Sequence, residues 1–184
     1  NIINPRLADV PLYCHFVLII AMYVLFTLFA KEGNLTGFQI AGAILSLGWL
    51  SAVPNLPVQH EFMHRKGLIP RLCTFILGGL YGDPIKGIAH VHGHHLDFGT
   101  SADTDQARRG ETMYTFPFRA SWGSYSHAWR AEKRRLQNKS LPILSIENLC
   151  VRAIIFEIVL FSTIAFVAGA MATIIALIGI VIAK

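Results

Sequence analysis

The longest uninterrupted apolar runs limit the chain most. Residues 11–30 are apolar for 20 residues, with His15 as the one side chain able to carry charge. That is the length a helix needs to cross a bilayer core at 1.5 Å per residue. Residues 37–53 form a second candidate, and the KEGNLT connection between the two reads as a tight turn. A third run, 68–81, is shorter and carries Arg71, so it is expected to be re-entrant or interfacial. The fourth, 153–183, is 31 residues long, with Glu157 near its start and Gly169 near its middle. It fits one kinked span or two short helices. No alternating strand pattern competes, and the expected class is all-α, an integral-membrane helical bundle.

Composition agrees. Hydrophobic residues make up 53% and charged residues 15%, well under the quarter usual for a soluble domain. The net charge is +5, and 12 of the 16 Lys and Arg lie between Arg65 and Lys139. Apolar runs bracket this stretch, which favours positive-inside bias over a nucleic-acid surface and places the middle loops in the cytoplasm. The basic segment 129–139 reads as a helix whose exposed face meets anionic headgroups. Cys14, Cys73 and Cys150 lie in or beside apolar runs without CxxC spacing, so buried thiols are expected in place of disulfides. The abrupt start at Asn1 and the stop at Lys184 read as truncations of one membrane domain, 1–184.

Six of the eight histidines fall between His60 and His95. His60 and His64 are four apart, one turn of a helix that Pro57 would open and Gly67 would close. The second cluster, HVHGHH, follows Asp83-Pro84, a good helix start. On a continuing helix His90 and His94 share a face, while geometry alone does not rank His95 above His92. His15 and His127 stand apart and read as structural or interfacial. Neutral imidazoles at this density are metal ligands.

Three functions compete for such a site. His60-Glu61-Phe62-Met63-His64 also spells HExxH, the zinc-protease motif in which Glu61 would be the base. That reading leaves the second cluster without work, since zinc takes four ligands in all. Five or more imidazoles suit two metals better. A non-enzymatic metal transporter with a histidine-rich loop is the third reading.

The two clusters, together with LSLGWLSAVPNLPVQHEFMH, YGDP, IAHV and DTDQARRGETMYTF, resemble the histidine boxes and flanks of the integral-membrane alkane hydroxylase, xylene monooxygenase and fatty-acid desaturase superfamily. The resemblance implies the metal ligands His60, His64, His90, His94 and His95, with His92 outside the box. It implies a bundle of that type, incomplete here because the later boxes have no counterpart. It also implies two non-haem irons, O2 as co-substrate and electrons ultimately from NAD(P)H. The partners implied are a rubredoxin or an iron–sulfur flavoprotein reductase, an apolar hydrocarbon and the lipid bilayer, but no nucleic acid. The implied reaction hydroxylates a methyl or terminal carbon of an alkylaromatic or alkane. The implied location is the bacterial inner membrane, with the metals on the cytoplasmic side. Arg108, Arg109 and Glu111 read as a structural ion-pair network.

Overall fold

The computed structural model describes residues 5–184, with the side chains of residues 5, 6, 8 and 92 outside that description. Among the described residues there are helices and turns and no strand. The first helix, α1 (Pro5–Lys31), starts before the apolar run does, and Pro11 lies inside it. The turn at 32–36 leads to α2 (Gly37–Ala52), which begins with a reciprocal cap. The Thr36 hydroxyl accepts the Gln39 amide, and the Gln39 side chain accepts the Thr36 amide, so two otherwise unpaired donors are satisfied. After a short break, α3 (Asn55–Met63) carries the chain on. Together α2 and α3 make a 27-residue apolar stretch, and Asp9–Lys31 makes another of 23. Both are long and apolar enough to cross a membrane.

The helix starts differ from the sequence cues. Helix α3 opens at Asn55, two residues before Pro57, and it closes at His64, not Gly67. Gly67 (φ 117°) instead introduces α4 (Leu68–Leu80). Its positive φ lets the chain reverse. Helix α4 then runs antiparallel to α3, held by two buried amides. The Asn55 side chain donates to the Leu77 carbonyl at 3.1 Å and that of Gln59 to Thr74 at 3.2 Å. At the far end of α4, the buried Tyr23 hydroxyl donates to the Leu80 carbonyl at 2.6 Å, fixing its depth against α1.

The chain then doubles back. Asp83 does not cap a helix, because its carboxylate is buried and paired with Lys184 at 3.4 Å. The returning limb consists of α5 (Lys86–Ala89), a π-turn (His90–His94) and α6 (His95–Asp97). Gly87 lies against Thr74 and Met63, so the limb packs on α4 and the end of α3. A long loop leads to α7 (Phe116–Asn138), which contains the basic segment. The buried Glu132 of α7 accepts the Leu149 amide at 2.8 Å and thereby sets the start of α8 (Leu149–Ala183).

Helix α8 is two antiparallel arms. Ile154 and Leu177 are 23 residues apart, about 35 Å along a straight helix, yet they line one cleft with Glu157 and Phe161. The reversal is at Gly169, whose φ of 82° and ψ of 174° fit only glycine comfortably. The returning arm packs tightly on α2, where Gly48 and Gly179 let the backbones approach. The main apolar core joins α1, α2, α3, α4 and α8, centred on Phe62, Leu77 and Ile175. Among the cysteines, Cys73 and Cys150 are buried as expected, whereas Cys14 faces outward from α1.

Candidate metal centre

The reversal between α4 and its returning limb brings the two histidine clusters together. His60 and His64 project from the last turn of α3, with Nε2 atoms 3.3 Å apart. The His60 and His90 rings have centroids 4.7 Å apart, and those of His64 and His95 are 4.9 Å apart. One nitrogen from each of His60, His64, His90 and His95 lies within 4.8 Å of all the others. Imidazoles at 2.0–2.1 Å from a tetrahedral metal have nitrogens about 3.3 Å apart. The shortest contacts match that spacing, so the donor set fits a metal ion.

The second cluster is built by a π-turn. The His95 amide donates to the His90 carbonyl, five residues back. This wider turn sets His95 over His90, with Nε2 atoms 3.1 Å apart. On a regular helix these two residues would point about 140° apart. His90 and His94 do lie side by side, but it is His95 that joins His90 in the converging group. His94 stands beside the group, its ring stacked on His90 at 5.1 Å. The side chain of His92, which the family pattern leaves outside the box, lies outside the described residues. His90 is buried, and His60, His64 and His95 are exposed. Desolvation, followed by the charges of His90, His64 and His94, lowers the His95 pKa, which favours the neutral form that binds metal.

Two carboxylates stand behind the second cluster. Both Asp103 oxygens are 2.9 Å from His94 Nδ1. Asp105 approaches His90 Nδ1 at 3.5 Å and accepts from Lys86 at 3.0 Å and Ser124 at 3.1 Å. Burial pushes the Asp105 carboxyl up, but the His90, Lys86 and Ser124 hydrogen bonds and the Lys86 charge outweigh it, so the group sits well below the usual range. Sequence reasoning quoted this DTD stretch without giving it a role. The one available signal was a pair of aspartates shortly after the last histidine, which is weak without the fold.

Other charges near the centre form ion pairs. Glu61 accepts from Arg65 at 3.2 Å, and Arg65 also pairs with Asp9, pinning α3 to the start of α1. Glu61 thus has a partner other than a ligand histidine. Glu111 is in an ion pair, as expected, but its main partner is Arg119 of α7 at 2.6 Å, while Arg108 and Arg109 are exposed. His127 does not stand apart: its ring packs against Gly93 in the π-turn.

Residues 36–183 match the sequence model of the fatty acid desaturase family. The chain belongs to that family. Among curated relatives of this desaturase-family chain, it is 35% identical to the xylene/toluene monooxygenase hydroxylase component XylM of Pseudomonas putida. That match covers 99% of the chain and 50% of the relative. It is 30% identical to an alkane 1-monooxygenase of Pseudomonas putida, over 70% of the chain and 32% of the relative. It is 32% identical to alkane 1-monooxygenase 1 of Pseudomonas aeruginosa, over 58% of the chain and 28% of the relative. The chain therefore spans half the length of the first relative and about a third of the others.

Proposed function

We propose that this chain carries the first histidine boxes of a membrane-bound, non-haem di-iron monooxygenase that hydroxylates a methyl or terminal carbon of an apolar hydrocarbon. The observation that carries the reading is the convergence of His60, His64, His90 and His95 from two separate segments onto one point at the end of an apolar helix bundle. Relatives named as xylene/toluene and alkane monooxygenases supply the substrate class.

In this reading His60, His64, His90 and His95 hold one iron, and His94 offers Nε2 towards the second. When bound, the irons activate O2 for insertion into a C–H bond. The protein's own residues do the rest. The imidazoles would present ring-nitrogen lone pairs, and Asp103 and Asp105 face the far sides of His94 and His90. The apolar helices give an alkylaromatic or alkane a path from the bilayer and keep water from the reacting carbon. Electrons come from NAD(P)H through a rubredoxin or an iron–sulfur flavoprotein reductase. The centre faces the cytoplasm of a bacterial inner membrane, on the side of the basic middle loops. The paired state of Glu61 weighs against its use as the base of a zinc protease.

The test is metal analysis of the full protein that carries these residues, with product assays on toluene, xylene and octane. Two irons per chain and O2-dependent alcohol formation are expected. One zinc without iron, or peptide cleavage without hydroxylation, would overturn the reading.

A further inference from the structure

His90 and His94 are backed by carboxylates from a single short loop, and that loop is held by one helix. The Asp103 side chain is fully buried, and its oxygens meet only His94 Nδ1 and the Asp105 amide among the described contacts. An ionised carboxylate only accepts hydrogen bonds, so His94 Nδ1 carries the proton and Nε2 keeps its lone pair. The same logic applies at His90, where Asp105 faces Nδ1 and Nε2 faces His95. On both rings, the nitrogen left free is the one turned away from the loop.

Helix α7 grips the loop at three successive levels. Arg119 donates to the carbonyls of Thr104 at 3.2 Å and Gln106 at 2.8 Å while bound to Glu111. A Cβ on Gly123 would lie 2.5 Å from Thr104, so the loop rests directly on the helix there. Ser124 donates to Asp105 at 3.1 Å. We propose that Asp103 and Asp105 are positioning residues for His94 and His90, fixing their tautomers and ring orientations for metal binding, and that α7 holds both aspartates through Arg119, Gly123 and Ser124. The inference rests on the metal-centre reading above.

The test uses the full protein stripped of metal and titrated with Co(II), whose ligand-field absorption reports binding without any turnover. Asp103→Asn and Asp105→Asn keep the side-chain shape but lose the charge and the purely accepting face. Asp105→Asn is expected to weaken the first equivalent of cobalt, and Asp103→Asn the second, each by about 10–100-fold. Wild-type cobalt affinity in both variants, with only a lower melting temperature, would show that the aspartates merely anchor the loop and would overturn the proposal. If the two Asn variants do not fold, Ser124→Ala and Arg119→Lys decide, since both keep the carboxylates. Ser124→Ala is expected to weaken cobalt binding roughly threefold, the effect of one lost hydrogen bond. Unchanged affinity in these two variants would overturn the clamp. A wild-type protein that binds no cobalt sinks the metal-centre reading itself and the positioning with it.

Discussion

The two histidine boxes reach the same point by different means. The first lies at the end of α3, with His64 at the C-cap, where spacing of four puts His60 and His64 one above the other, and beside it is an exposed ion pair. The second has spacing of five between His90 and His95, closed by a π-turn, and is backed by a loop of carboxylates and a supporting helix. An α-helix stacks i,i+4 residues without help. Spacing of five requires an i→i+5 turn, which is rare and persists where surrounding contacts hold it. The first box is therefore expected to tolerate change around it, and the second to depend on its neighbours.

The largest effect that would break this contrast is a change of register. Inserting one alanine after Val91 lengthens the His90–His95 spacing from five to six, about 120° off one face of a helix, and removes His95 from above His90. Iron retention in the full protein is expected to fall below detection while helix content by circular dichroism stays unchanged. Normal iron content in the insertion variant would mean that the register of His95 is incidental. Next come single ligands. His60→Ala should lower affinity for the first equivalent of Co(II) by on the order of 100-fold or more, beyond the effect of changing a residue that only hydrogen-bonds a ligand. His94→Ala should leave the first equivalent within about threefold and affect the second. Equal losses of the first equivalent would place His94 inside the four-imidazole group.

A pH series sharpens the role of the supporting loop. Hydrogen bonds from Arg119, then from the Arg108 amide, lower the Glu111 pKa from 4.5 to about 2. Because the folded value is the lower one, the Glu111–Arg119 anchor contributes in full above about 4.5 and is lost as pH falls through 4.5 towards 2. Amide exchange in 103–111 should therefore rise over that window, and Glu111→Gln should abolish the rise. A rise of equal size in the Gln variant would assign the effect to another group. The smallest effect is expected at the first box. Glu61→Gln removes an exposed i,i+4 ion pair worth at most about 1 kcal/mol, so iron content should stay within about 20% of wild type. Loss of all metal would make Glu61 part of the centre and remove the contrast between the boxes.

The limits of legibility follow the same division. Apolar length alone marked the helices that became α1, α2 and α8, because burial in lipid demands long unbroken runs. The helical pair His60/His64 was equally legible, since its geometry is local. The glycine in the middle of the last run was visible, but whether it bends or reverses the chain depends on packing of the returning arm against α2. Helix starts at Pro57 and Asp83 were misplaced because the backbone cues were outweighed by buried partners. Asn55 and Gln59 tie α3 to α4, and Lys184 takes the Asp83 carboxylate.

The sequence by itself determined an all-helical, membrane-suited chain with more imidazoles than one zinc requires. The family resemblance, now supported by the match over residues 36–183, selected His95. Only the tertiary structure decided how that selection is realised. A π-turn sets His95 over His90, and His94 stacks on His90 with Asp103 at its Nδ1. The physical reason is range. Periodicity and apolar length are properties of neighbouring residues, whereas a five-residue turn and a carboxylate behind an imidazole depend on contacts between segments far apart in the chain.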